Sequence, residues 1–508
     1  MSLNLFGLLL LLFFWARLLF ITPTDEGFLD WYSINLQLEV ARDGLGQLQI
    51  PSEVLSLGSF DYSAYFGQSF WSFPYLIRTP DILLLSVVSN KIFIVFHTLF
   101  FLSLAYFGFI KFIRFFVDSS LLTVGAAITY FCSGIFVGRI LAGHLQLIGY
   151  FFIPTFILIL LSASKDYTYI RKKQSWIHLS LLLAMIAYLG SLQTLFQMTL
   201  FLLLLGCWRY FRIFVFKSLA SMLILILPII YSGSSSTSYK LDGTTRTVFD
   251  GFGWRFLEYE SFRNSYDQVE YSSSFVAILG FILKHAFEVI SHLFLSSFDL
   301  NIAIEASGGL EWDIYLMPVG LVSLFCFILF AGLRDKSNLF ITKSDRPVFF
   351  VMIIFFVLSL SFVYRSIFLV FQDFFNINAI DRLPSRSIVY PLTLLFAISC
   401  GLAQRIPVRK IKTLSALKYG LFMLNLVLVI THSELWLQAV QKPFSKMITE
   451  NSALLIPNQP FVLSESSDPK LLLLAALLCL SVFWLFYTIM LIYKMEKTSV
   501  PIIQDSRN

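Results

Sequence analysis

The sequence predicts an all-α polytopic membrane protein with about 12 transmembrane helices. Three observations carry that expectation. Of the 508 residues, 57% are hydrophobic and only 13% charged, whereas a soluble globular chain carries about 25% charged and 45–50% apolar residues. Apolar runs of about 20 residues, the length that crosses the hydrocarbon core, recur along the chain. The basic residues gather in alternate connections between those runs. With 56 Phe and 22 Tyr, such a surface turned toward water would aggregate. The composition therefore excludes a soluble enzyme, a disordered chain and a nucleic-acid-binding protein.

Twelve stretches qualify as spans, roughly 3–21, 92–113, 119–137, 145–163, 176–190, 194–208, 217–231, 314–333, 347–369, 388–404, 416–431 and 471–493. A further apolar run, 275–297, is interrupted by Lys284, His285, Glu288 and His292, which share one face of a helical wheel. It reads as an amphipathic interfacial helix.

Charge supports this choice. With both termini cytoplasmic, the short inner segments hold 21 of the 37 basic residues and six of the 31 acids, the positive-inside pattern. Counting 275–297 as a span would turn the cluster Arg334–Arg346 outward and spoil it. The first span has no basic n-region, and Thr22-Pro23-Thr24-Asp25 is no signal-cleavage site, so it is expected to be retained. All five cysteines fall within the predicted spans, and none of the Asn residues begins an N-x-Ser/Thr sequon. The long outer connections without sequons point to a bacterial inner membrane.

The inner loops are short and basic and read as topology anchors. The outer loops 22–91 and 232–313, with shorter ones before the tenth and twelfth spans, are where function is expected. The first begins Thr24-Asp25-Glu26-Gly27-Phe28-Leu29-Asp30-Trp31-Tyr32. Thr24 fits an N-cap and the acids suit a first helical turn, which predicts a juxtamembrane helix anchored by Trp31 and Tyr32. A carboxylate at this boundary has a second use: partial burial raises its pKa and suits it to accept a proton from a hydroxyl.

Between the third and fourth spans runs the tight turn Gly138-Arg139-Ile140-Leu141-Ala142-Gly143-His144. Either Arg139 snorkels to the boundary and His144 caps a helix, or the two hold an anion at a helix end. Before the tenth span, Asp381-Arg382-Leu383-Pro384-Ser385-Arg386-Ser387 puts Arg386 in a first helical turn. A cation there opposes the helix dipole unless an anion is bound. Arg365, in the outer third of the ninth span, lies at similar depth. Together these guanidiniums suggest a lipid-phosphate site.

These residues, in this order, resemble the GT-C superfamily of polytopic membrane glycosyltransferases. The Asp25-Glu26 pair after the first span is similar to that of protein mannosyltransferases and aminoarabinose transferases. Gly143-His144 followed by Pro154, Leu383-Pro384-Ser385-Arg386, and Glu311-Trp312-Asp313-Ile314-Tyr315 with Gly320 resemble segments of YfhO-like bacterial members. The resemblance implies a GT-C-like transmembrane module over 1–431, followed by an outer loop, a last span and a cytoplasmic tail over 432–508. It implies inverting transfer of a sugar from a polyprenyl-phosphate-linked donor to a glycan, lipid or protein acceptor on the outer face. Asp25 would be the catalytic base, supported by Glu26; Arg139, His144, Arg365, Arg382 and Arg386 would hold the lipid phosphate. No cofactor is indicated, and a divalent metal, though compatible with the chemistry, has no visible ligand cluster. One departure is the lack of a clean second acidic motif in a later loop, for which Asp299, Glu305 and Glu311 are substitutes.

Two other readings stay open. A flippase or transporter of lipid-linked glycans would show charged or broken helices near the midplane, often in two related halves. Here no internal repeat is evident, and Gln193 and Gln197 form the one comparable polar cluster. A polysaccharide polymerase or ligase would share the outer acceptor site.

Overall fold

The computed structural model describes residues 3–22, 31, 34–35, 38, 41–42, 77–141, 143–165, 175–234, 239–241, 244–246, 345–359, 387–405, 427 and 433. The described part is helical apart from one short hairpin. Helix α1 is Leu3–Ile21, α2 Asn90–Arg114, α3 Ser120–Phe131, α4 Gly134–Leu141, α5 Ile153–Lys165, α6 Ser175–Tyr188, α7 Leu192–Leu205, α8 Arg209–Ser234, α9 Arg346–Ser359 and α10 Val389–Arg405. Two 3₁₀ segments, Pro80–Ser86 and Leu145–Phe152, precede α2 and α5. Strands β1, Tyr239–Leu241, and β2, Thr244–Arg246, pair antiparallel with Tyr239 opposite Arg246.

Among the described residues, five helical stretches are long and apolar enough to cross a membrane: Leu3–Ile21, Asn90–Arg114, Ser120–Leu141, Leu145–Ser164 and Arg209–Leu227. Shorter apolar helices lie at Ser175–Tyr188, Leu192–Leu205, Arg346–Ser359 and Val389–Ile398. The outward faces are as apolar as the inward ones. In α1, Leu8, Leu11, Trp15 and Leu18 are buried while Phe6, Leu9, Leu10 and Phe13 are exposed; Ile213, Phe216 and Ile224 of α8 are also exposed. Helices that are hydrophobic all round suit lipid. The architecture is compatible with a membrane protein.

Local chemistry sets the helix ends. Ser89 and Ser119 cap α2 and α3 by accepting from the amides of Ile92 and Leu122. Lys111 and Arg114 in the last turn of α2 complement the dipole. The predicted third span is two helices, interrupted at Cys132–Ser133. There the Ser133 hydroxyl donates to the Tyr130 carbonyl at 2.7 Å, and the Trp15 indole donates to the Phe131 carbonyl at 3.2 Å. The predicted fourth span begins in the tighter 3₁₀ geometry and becomes α-helical at Ile153, where Pro154 occupies a first-turn position that needs no amide donor. The predicted seventh span starts eight residues earlier than apolarity suggests, at Arg209. Its cations Arg209, Arg212 and Lys217 all face outward at the helix end.

Cross-links between helices define two rims. At one, Trp31 bonds Leu141, Arg78 bonds Tyr188, and Tyr188 bonds Leu225. At the other, the Tyr106 hydroxyl donates to the Asn4 carbonyl at 2.9 Å, Ser164 donates to Asp345, and Tyr210 donates to the Ser164 carbonyl at 3.0 Å. The exposed cations Lys111, Arg114, Arg209, Arg212, Lys217 and Arg346 belong to this second, basic rim. Asp345 is buried there just before α9, where a carboxylate is favoured by the helix dipole. Between the rims the core is aromatic. Phe151 meets Trp15 and Phe131 edge-on, Phe109 stacks on Tyr130, and Tyr390 lies against Phe201 and Phe355.

Candidate functional site

The site is built on the end of α4 at the first rim. The amide of Gly143 donates to the Ile140 carbonyl and that of His144 to the Arg139 carbonyl, each at 3.0 Å, and Gly143 has φ 97°. This is a Schellman cap, in which a left-handed glycine ends the helix and brings the side chains three before and one after the turn together. Those two positions, usually hydrophobic, are here Arg139 and His144. The local sequence thus makes neighbours of two polar residues. A guanidinium in the last turn also complements the helix dipole.

Arg139 is fully buried, so it does not snorkel to the boundary. Its guanidinium lies 5.8 Å from the centre of the Tyr150 ring, within cation–π range. The Tyr150 hydroxyl donates to Gln197 Oε1 at 3.1 Å, which links α4 through the 3₁₀ segment to α7. His144 precedes that segment but makes no side-chain cap bond to it, which removes the capping role as its explanation. A second Schellman cap on the same rim ends α6, with Gly190 at φ 71° and the Ser191 amide bonded to the Ile186 carbonyl. The Ser191 hydroxyl accepts from the Gly149 amide at 3.1 Å. A side chain on Gly149 would collide with it, since an added Cβ would lie 2.7 Å from Ser191 Cβ.

The first connection fastens onto this turn. Trp31 is fully buried and its indole N–H donates to the Leu141 carbonyl at 2.7 Å. Each described residue from 31 to 42 is helical, and Trp31, Leu38 and Ala41 bury one face, as a juxtamembrane amphipathic helix requires. Farther along, Arg42 donates to the carbonyls of Leu85 and Val88 and to Asn90 Oδ1 at 2.7–3.1 Å.

Of the seven residues expected to carry function, Arg139 and His144 are the two among the described residues, joined through the backbone of this turn. Asp25, Glu26, Arg365, Arg382 and Arg386 lie outside the described residues, as do Asp299, Glu305 and Glu311 and the run 275–297. Ser387, just after Arg386, is buried and donates to the Phe355 carbonyl at 3.2 Å.

The structure adds polar residues to the rim that the sequence reading passes over. Asp81, in the 3₁₀ turn, contacts His97 Nδ1 at 2.5 Å, and the imidazole is fully buried within α2. Burial would raise the Asp81 carboxyl, but the hydrogen bond and charge of His97 outweigh it and hold the carboxyl below its ordinary range. Arg78, three residues upstream, is buried beside Tyr188, and burial pushes its guanidinium down to about 10. The signal for the pair was His97 itself. An ionisable residue inside an apolar run marks a functional site by default, yet its partner lies in a loop 16 residues earlier. Among the described residues no group of three or more His, Cys, Asp or Glu side chains has the arrangement of a metal site.

Compared with protein-family models, curated proteins and solved structures, the chain matches none.

Proposed function

We propose that this chain is a membrane glycosyltransferase of about 12 spans, GT-C-like in architecture. It moves a sugar from a polyprenyl-phosphate-linked donor to an acceptor on the outer face of a bacterial inner membrane. The observation that carries the reading is the Trp31–Leu141 hydrogen bond. It fastens the connection bearing Asp25 and Glu26 in sequence to the turn that pairs Arg139 with His144. A connection that carries acids in its sequence and a turn that carries cations are the two halves that this reaction needs.

In the proposed reaction Asp25 takes the proton of the acceptor hydroxyl, whose oxygen attacks the anomeric carbon from the face opposite the phosphate. The new carbon–oxygen bond forms as the bond to phosphate breaks, with inversion, and the electron pair leaves on the lipid phosphate. Arg139, His144, Arg365, Arg382 and Arg386 stabilise that charge. A phosphate is already a good leaving group, so one base and preorganised positive charge suffice. The test is transfer by purified protein from lipid-linked sugar: Asp25→Asn is expected to abolish it with the fold intact, and full activity in that variant would overturn the assignment.

One feature favours the second reading, a flippase for lipid-linked glycans. The interruption at Cys132–Ser133 and the 3₁₀ segment that follows Gly143 are buried breaks in successive spans, and discontinuous helices mark the binding sites of many transporters. Proteoliposomes separate the two readings: movement of the lipid across the bilayer without covalent transfer favours the flippase.

A further inference from the structure

The proposed transfer leaves Gln197 without a role. It sits in the second turn of α7 and is only 2% exposed. A buried side-chain amide is kept where its hydrogen bonds are made, and its Oε1 accepts from the Tyr150 hydroxyl at 3.1 Å. The start of the same helix reaches the residue before Tyr150 twice more. The Ser191 hydroxyl accepts from the Gly149 amide at 3.1 Å, and a Cβ on Gly149 would lie 3.2 Å from the Thr194 hydroxyl oxygen. Residues 191, 194 and 197 follow at i,i+3 spacing and line one row at the start of α7. That row grips Gly149 and Tyr150.

The hydroxyl of Tyr150 is bound to α7, while its ring meets Arg139. The guanidinium carbon lies 5.8 Å from the ring centre, over the ring, and both side chains are fully buried. A cation is attracted by the face of an aromatic ring and not by its edge. The contact therefore depends on how the phenol is turned. The hydroxyl stands on the long axis of the ring, so anchoring it at Gln197 fixes the direction in which the phenol points. Tyr150 also belongs to a 3₁₀ segment, whose own hydrogen bonds are poorer than those of an α-helix. Such a segment relies on outside contacts for its position, and α7 supplies them.

We propose that Gln197 is a positioning residue for Arg139, acting through Tyr150. The amide fixes the phenol, and the phenol ring fixes the guanidinium. A charge that stabilises a leaving phosphate is effective only when it is held in place beforehand, and this chain of contacts holds it. The inference rests on the proposed transfer for the role of Arg139 as a phosphate ligand; the placing of its guanidinium rests on the contacts alone.

The test uses the full chain in lipid nanodiscs with ¹⁵N-labelled arginine. The side-chain Nε–H signal lost in Arg139→Lys is that of Arg139, and a proton over an aromatic ring reports the position of that ring. Polyprenyl phosphate is the binding probe, its affinity read by native mass spectrometry. Gln197→Leu and Tyr150→Phe are each expected to move the Arg139 signal before any probe is added. Each should weaken probe binding about tenfold, the loss of one good hydrogen bond. Joining the two substitutions removes donor and acceptor together and leaves no unsatisfied group. The double variant should therefore regain unfolding temperature relative to Gln197→Leu while affinity and the Arg139 signal stay displaced. Affinity regained together with stability would show that the pair serves only the fold, and would overturn the inference. A displaced Arg139 signal with wild-type affinity would keep the positioning role and remove Arg139 from the phosphate site. Weakened affinity with an unmoved Arg139 signal would do the reverse.

Discussion

The indole N–H of Trp31 donates to the carbonyl oxygen of Leu141 at 2.7 Å, across 110 residues of chain. The accepting carbonyl lies in the last turn of α4, between Arg139 and the glycine that ends the helix. A helix end leaves its last carbonyls without intrahelical donors, and here a residue of the first connection supplies one. Trp31→Phe keeps the ring and removes only the donor. It is expected to lower stability by about 1–3 kcal/mol, the cost of an unsatisfied buried carbonyl, measured as thermal unfolding in nanodiscs. Unchanged stability would show that the bond does not fasten the loop.

Arg139 is expected to resist its conservative substitution. Lysine keeps the charge but loses the planar fork and its stacking on the Tyr150 ring. Arg139→Lys should weaken binding of polyprenyl phosphate at least about tenfold, or about 1.4 kcal/mol, with little change in unfolding temperature. Native mass spectrometry of the lipid complex measures this, and wild-type affinity in the lysine variant would remove Arg139 from the phosphate site.

Arg78 is only 6% exposed, and burial lowers its guanidinium to about 10. It remains charged at neutral pH, and a base with a lowered folded pKa weakens the folded state at every pH below that value. The penalty fades only as pH rises through about 10. Arg78→Met is therefore expected to stabilise the protein at pH 7, on the order of 1–3 kcal/mol. A less stable Arg78→Met protein would show that the guanidinium serves the fold.

Asp81 has the opposite sense. Its folded carboxyl is held below the ordinary value of 3.8, so its contribution to stability is present above that pH and is lost as pH falls through the lowered folded value. Wild type should exceed Asp81→Asn in unfolding temperature at neutral pH, and the two should converge only below about pH 4. Parallel curves down to acid would show that the carboxylate is not stabilised by His97.

Gly108 on α2 lets α5 approach closely. A Cβ there would lie 2.0 Å from the Thr155 hydroxyl oxygen, the small-residue contact typical of membrane helices. Gly108→Ala is expected to destabilise by about 1–3 kcal/mol. Adding Thr155→Ala should recover much of the loss, and a double-mutant cycle with no coupling would show that the contact is not the cause.

Hydropathy anticipates α1 and the extent of α2 closely because those helices are continuous and apolar from end to end. It misses the interruption at Cys132–Ser133, since apolarity continues through the break, and what satisfies the backbone there is Trp15, 116 residues away. It also starts α8 late, because cations at an exposed helix end lower the average without ending the helix. The turn between Arg139 and His144 is legible in its glycine, but the burial of Arg139 comes from Tyr150 and the surrounding helices. Asp81 and His97 could be paired only by the fold, which turns the first connection back against the start of α2.

The broken third span also has a bearing on how the protein enters the membrane. In hydrocarbon an unsatisfied carbonyl costs several kcal/mol, so α3 and α4 inserted alone would hold the Phe131 carbonyl at that penalty. The Trp15 donor lies in α1, which is synthesised before α3 and α4 and so precedes the break along the chain. The Tyr130 hydroxyl, by contrast, pairs at 2.8 Å with Thr393, 263 residues later. Synthesis therefore closes the backbone gap early, and the bundle is left with a polar contact that only α10 can complete.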